Sequence, residues 1–171
     1  MSAPAADTVS ELQSLRYQAR VVNQVLRLNI DGVTHAESLR QPQPAGNCLN
    51  WIVGHLVWAY AGALQLLDQE PVLDQASLSR YARGAPPLGS PAEAREFGEL
   101  VAAWDEEASR VDAGLAAFPT DALNLPAPSS PTGNPDETIR TLLATVLFHQ
   151  AYHAGQAAVL RRIIGKPGAI A

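Results

Sequence analysis

The chain has 171 residues and a formal charge of −5, from 17 acids against 12 bases, with 47% apolar and only 17% charged residues. That length fits one domain, residues 1–171, around a single sizeable core, and a mean hydropathy of −0.03 argues against both a disordered chain and a highly charged coiled coil. The acidic balance gives no attraction toward a phosphate backbone, so no nucleic-acid partner is expected.

The first seven residues lack the basic stretch and apolar run of a signal peptide, which leads us to expect a cytoplasmic protein. No run alternates with period two for long enough to argue a sheet, and four helical patterns stand out, so the fold reads as all-α. The first predicted helix covers residues 7–30, with Leu12, Leu15, Ala19, Val22 and Leu26 three and four apart on one face. Asp31-Gly32 ends it, and Thr34 with Glu37 has the capping-box pattern of a short helical turn.

The second predicted helix starts with Asn47 as its cap and runs to about Leu67. Cys48 is the only cysteine of the chain, so no intramolecular disulfide is possible. The helix is apolar nearly all round: Trp51, Ile52, His55, Ala59 and Ala63 share one face, while Val53, Val57, Tyr60 and Leu64 lie opposite. Two apolar faces need two partners, so one is expected to pack in the bundle and the other against a second subunit or under the following loop, residues 68–89. Residues 41–67 and 141–160 contain no charged residue. Both carry His or Gln at their centres, which hydrocarbon accepts only at a cost, so they read as buried helices rather than membrane spans.

The third predicted helix begins at Ser90 as cap, with Pro91 in its first turn and Glu93 three residues after the cap, and repeats Phe97, Leu100, Trp104, Val111 and Leu115 at helical spacing. Residues 120–135 are rich in Pro, Ser, Asn and Gly and read as a long crossover loop. The last predicted helix runs from about Asp136 to Ile164 and stops at Gly165. Its inward stripe is expected to be Ile139, Leu142, Val146, His149, His153, Gln156, Leu160 and Ile163, and its opposite side, with Ala144, Ala151 and Gly155, is small enough for close approach of another helix.

Three of the four histidines thus fall on inward helical positions. His149 and His153 are one turn apart, with Cβ atoms about 5 to 6 Å from each other. Alone, the pair reads either as two ligands of one ion or as two neutral core imidazoles bonded to carbonyls. His55 lies between Trp51 and Trp58, where an uncharged apolar residue would pack at lower desolvation cost. One divalent ion would occupy a lone pair on each of the three rings, and three histidines leave an open coordination position of the kind catalytic sites use.

The segment Asn47-Cys-Leu-Asn-Trp51-Ile-Val-Gly-His55-Leu56 resembles the first signature of the DinB-like (DinB/YfiT) superfamily, and His149-Gln-Ala-Tyr-His153-Ala-Gly155-Gln156 resembles its second, His-x-x-x-His-x-Gly-Gln. The resemblance implies a four-helix bundle of up-up-down-down topology with a long crossover, a homodimer, and a tris-His site for Zn, Ni or Fe with His55, His149 and His153 as ligands. It also implies two activities: thiol-dependent S-transfer or isomerisation, and hydrolysis.

Around such a site Gln156 reads either as a group that orients a ligand ring or a bound water, or as a polar residue at the bundle rim. Tyr152 offers a hydroxyl near the stripe or simply packs. Gln156 and Tyr152 are the catalytic candidates. Cys48 precedes His55 by seven residues, about 10.5 Å of helical rise, too far to share the ion; His35 opens a surface turn and is assigned no role. A tris-His ion lowers the pKa of a thiol or a water. No acid lies on the inward stripe of the last helix to act as a general base for water, unless Asp31 or a loop residue approaches, and this favours activation of a low-molecular-weight thiol for transfer to an electrophile. The alternatives are a hydrolase using metal-activated water and a non-catalytic metal-binding dimer of the stress or damage-response type. Arg80, Arg83, Arg161 and Arg162 read as solvated surface or as anchors for a carboxylate of a thiol cosubstrate. No membrane partner is expected.

Overall fold

The computed structural model describes residues 10–170; residues 7–9 of the first predicted helix, and the N-terminal segment read for targeting, lie outside them. The α-helices are α1 (Glu11–Ile30), α2 (His35–Ser38), α3 (Leu49–Leu66), α4 (Phe97–Ala117) and α5 (Ile139–Ile163), with 3-10 turns at Gln75–Tyr81, Pro91–Glu93 and Thr120–Asn124. The only β-type pairing among the described residues is an isolated bridge between Pro126 and Thr138. The chain is therefore all-α, and the four long helices form the expected bundle. No helix among the described residues is long and apolar enough to cross a membrane.

Local chemistry explains the element ends. Ser10 and Gln13 form a capping box at the start of α1, whose buried face carries Leu12, Leu15, Ala19 and Leu26. Thr34 and Glu37 form the expected one around α2. α3 is capped by Cys48 rather than Asn47, without a side-chain bond, and the Asn47 Oδ1 is buried without a partner. Ser90-Pro91-Glu93 makes only a 3-10 turn, and α4 starts at Phe97. The reason is Arg95: its N–H donates to the Tyr81 hydroxyl at 2.7 Å and its carbonyl accepts from Asn50 Nδ2 at 2.9 Å, so that residue is held out of a helical ladder. α5 starts at Ile139 behind a Thr138–Thr141 capping box, slightly later than expected.

Contacts along the helices fix their directions. α1 and α5 run parallel: Arg140 pairs with Glu11 at one end, and Arg161 donates to the Asn29 carbonyl at 3.1 Å at the other. α3 and α4 also run parallel, since Asn50 meets Arg95, Tyr60 stacks on Trp104 at 4.6 Å, and Leu67 lies over Gly114. α1 opposes α4, because Arg16 and Arg20 hold Asp112 while Arg27 reaches back to Asp105. The order is up, down, down, up, in place of the expected up-up-down-down. Parallel α3 and α4 require a connection that travels the length of the bundle, and residues 67–96 supply it; residues 118–138 only turn the chain at one end.

That crossover also settles the second face of α3. Of its 18 residues 13 are buried, because the turn at Gln75–Tyr81 packs along the outside of the helix. The long loop covers its Gly54–Trp58 part. On α5 the expected stripe is buried at Ile139, Leu142, His153 and Leu160, and the buried face extends to one side of it through Leu143, Leu147, Gln150, Ala154 and Ala157. Ile163 is exposed, while Val146 and His149 sit half-buried at the border of the core. Ala144, Ala151 and Gly155 are exposed, and a Cβ added at Gly155 would meet nothing within 4 Å.

Candidate metal centre

α3 and α5 bring His55, His149 and His153 together, with ligating nitrogens all within 4.8 Å of one another. His149 Nε2 lies 3.1 Å from His55 Nε2 and 3.1 Å from His153 Nε2. Three nitrogens around one tetrahedral ion, at bond lengths of 2.0–2.1 Å, would stand about 3.3 Å apart. The opposite edges of two rings are fixed. His55 Nδ1 faces the Tyr81 carbonyl at 2.8 Å, and His153 Nδ1 faces Gln156 Oε1 at 2.7 Å. Both acceptors demand Nδ1–H, so both Nε2 atoms turn lone pairs inward. One proton on His149 Nε2 can satisfy only one of them. The donor set therefore fits a divalent cation, which would accept all three lone pairs at once.

The surroundings favour neutral imidazoles, the form that ligates metal. Burial is the main cause: it holds His149 and His153 down to about 4 and also lowers His55. Neighbouring imidazoles add repulsion at His149 and His153, and Gln156 opposes the shift at His153. Trp51 stacks on the His55 ring at a centroid distance of 4.8 Å and Trp58 at 5.7 Å, so α3 presents His55 between two indoles.

Tyr81 escaped sequence reasoning, although three of its groups serve this corner. Its carbonyl fixes His55, its hydroxyl donates to Asn50 Oδ1 at 2.9 Å and accepts from Arg95 N–H, and its ring lies against Gly54. The segment Leu-Ser-Arg-Tyr has no motif, and only the bare Gly54 one residue before His55 hinted at a close approach. Gln156 Oε1 binds the edge of His153 that points away from the cluster, so Gln156 positions the ring rather than touching what the ring holds. Its Nε2 donates to the Tyr152 hydroxyl at 3.2 Å, and the exposed Tyr152 ring meets His153 edge to face at 5.3 Å. Cys48 is fully buried at the start of α3. His35 accepts the Phe97 N–H at 3.1 Å and thereby caps α4.

A cavity of about 710 Å³ opens beside the cluster, with His55, His149 and Tyr152 on its wall. Apolar residues of α3 and α5 make up most of the lining, together with Ser129, Ser130 and Thr132 from the turn before α5. Among the described lining residues there is no Asp or Glu. Asp31 instead lies just after α1 as its C-cap. The arginines divide: Arg83 lines the cavity, whereas Arg80 binds Glu93 and the Pro86 and Pro87 carbonyls, and Arg161 binds the carbonyls of Asn29, Asp31 and Pro167.

Comparison with known proteins agrees with this geometry. A family model described as the DinB superfamily matches residues 18–157. The fold is similar to a solved structure of a conserved protein from Enterococcus faecalis, with a TM-score of 0.70 and 18% identity over 92% of this chain and 98% of that one. No curated protein matches the sequence.

Proposed function

The chain belongs to the DinB superfamily, and from that premise we propose that it is a metal-dependent enzyme that transfers a low-molecular-weight thiol to an electrophile. The observation that carries this reading is the convergence of three Nε2 atoms at the wall of a substrate-sized cavity that offers no carboxylate. His55, His149 and His153 would hold the ion, and Zn, Ni or Fe suits such imidazole donors. When bound, a divalent ion there supplies a thiol held as thiolate near neutral pH.

The chain's own residues do the rest. Tyr81 and Gln156 keep two imidazoles in the Nδ1–H form, so that their Nε2 atoms remain free to bind. Trp51 and Trp58 keep water from the His55 ring. The Tyr152 hydroxyl, tethered by Gln156, offers a proton donor on the cavity wall. Hydrolysis would require a base to take a proton from water, and the described wall supplies no carboxylate for it. A purely structural ion would have no use for the cavity.

A homodimer belongs to the same proposal. The neighbouring helices α1 and α5 expose Tyr17, Val21 and Leu28, and Phe148, Tyr152 and Val159, which a second copy would cover. Light scattering after size exclusion should give twice the chain mass.

The decisive experiment is conjugation of glutathione, cysteine or a sugar-linked thiol to 1-chloro-2,4-dinitrobenzene by the metal-loaded protein. Turnover with at least one thiol, lost with chelator and restored by metal, is the expected result. Absence of turnover with every thiol, alongside stoichiometric metal, would overturn the transferase reading.

A further inference from the structure

The cavity beside the histidines has an uneven chemistry. Its walls are apolar, with Ala59, Ala63 and Leu66 from α3 facing Leu142, Val146 and Phe148 from α5. One charged side chain lines it among the described residues, and that is Arg83. The protein as a whole carries 17 acids and a net charge of −5, so a wall with one cation and no anion runs against the composition. Taking this cavity as the substrate side of the site argued above, we propose that it receives a molecule with an apolar body and a single acidic head group, the head being held by Arg83 at the mouth.

Among the described residues Arg83, like Arg40, Arg161 and Arg162, has no carboxylate within 4.0 Å, and of these four it alone lines the cavity. Seven of the other arginines lie within 4.0 Å of a carboxylate, including Arg80 three residues earlier. Arg83 has no acidic partner among the described residues, and its one hydrogen bond there runs from Nη1 to the Pro131 carbonyl at 2.9 Å. That bond fixes the guanidinium between the crossover and the turn before α5, both of which border the cavity, and leaves further N–H groups for a carboxylate, sulfonate or phosphate. An unpaired cation over low-dielectric walls draws anions more strongly than one in open water.

Two observations link the mouth to the interior. Arg83 lines the same cavity as His55 and His149, so a molecule held at Arg83 shares that space with two members of the cluster. Gln150, 2% exposed, lies on the same wall, and its Oε1 is buried with no hydrogen-bond partner in the protein. A buried acceptor is rarely left unpaired, and its partner here comes from what the cavity holds. The head group then sits outermost, and the apolar body carries the reacting atom inward.

Two dyes that share one ring system separate charge from apolarity: anionic 8-anilinonaphthalene-1-sulfonate and uncharged N-phenyl-1-naphthylamine. Titrated by fluorescence in the presence of chelator, the wild-type protein should bind both. Arg83→Ala should weaken the sulfonate about tenfold and leave the uncharged dye unchanged, while Arg83→Lys should keep sulfonate affinity within about threefold of wild type. Ala59→Trp, verified as folded by circular dichroism, should weaken both dyes by narrowing the cavity. The proposal is overturned if Arg83→Ala leaves the sulfonate affinity intact or lowers both dyes equally, or if the folded Ala59→Trp variant binds both as well as wild type. Because the titrations are metal-free, their outcome is independent of whether the histidines bind an ion or the protein transfers thiols.

Discussion

The ring of Tyr81 occupies the space where a side chain at Gly54 would begin: a Cβ built there would stand 2.6 Å from the ring's Cγ. The next residue in α3 is His55, whose Nδ1 is bound by the Tyr81 carbonyl at 2.8 Å. One contact thus couples helix packing to the orientation of a ligand. A stiff aromatic ring pressed onto bare backbone has no cheap way to retreat.

Gly54→Ala should therefore cost about 1–3 kcal/mol of stability and weaken metal binding as well, because Tyr81 must move and release His55. Thermal melts and titration with Zn or Ni would read the two effects. A variant destabilised to this extent yet binding metal with wild-type affinity would separate Tyr81 from the site.

Gln156 acts on His153 in the same way from one turn further along α5. Gln156→Leu removes the acceptor at 2.7 Å and frees the His153 ring to change tautomer. Metal affinity should fall about 10- to 100-fold with little change in the fold, whereas His153→Ala should abolish stoichiometric binding. Elemental analysis and competition with a chromophoric chelator distinguish the two.

These relationships mark where the sequence was legible. The helices, the Thr34–Glu37 box and the three histidines are local patterns, written in spacings of three and four, and the structure brings the three rings together. Tyr81, Arg83 and the parallel run of α1 beside α5 depend on how residues 67–96 travel along α3, which no local spacing encodes. The start of α4 shows the boundary between the two kinds of information. Ser90, Pro91 and Glu93 carry a good local signal, but Tyr81 and Asn50 claim the backbone of Arg95, so the α-helix begins two residues after it. On α5 the core takes Leu147, Gln150 and Ala157, each one position beyond the expected Val146, His149 and Gln156, because apolar residues flank both sides of the histidine row.

Without metal, the same histidines should make the fold sensitive to acid. In the folded chain His149 and His153 ionise near 4 against an ordinary 6.5, mainly through burial. Between those values the unfolded chain binds more protons, so the histidines' contribution to stability is full above pH 6.5 and is lost as pH falls toward 4. Urea midpoints measured with chelator should drop over that window, and His149→Leu should flatten the slope. A midpoint constant from pH 7 to pH 4.5 would contradict the burial argument.

Glu107 should act with the opposite sign. It is fully buried on α4; Oε1 accepts the Val72 N–H at 3.3 Å, and Oε2 has no partner. Burial raises its carboxyl from 4.5 to about 8, with the Val72 bond and Arg110 opposing. The folded chain therefore holds a proton that the unfolded chain has lost, and stability declines as pH rises from 4.5 toward 8. Below pH 6.5 this decline runs against the gain from the histidines, so the metal-free protein should be most stable near pH 6 to 6.5, with only the Glu107 effect remaining above. Glu107→Gln keeps the shape of the neutral acid, and should raise stability at pH 7.5 by at least about 1 kcal/mol while steepening the net loss below pH 6.5, which the histidines then set without opposition. If the decline above pH 6.5 persists in Glu107→Gln, its source lies elsewhere.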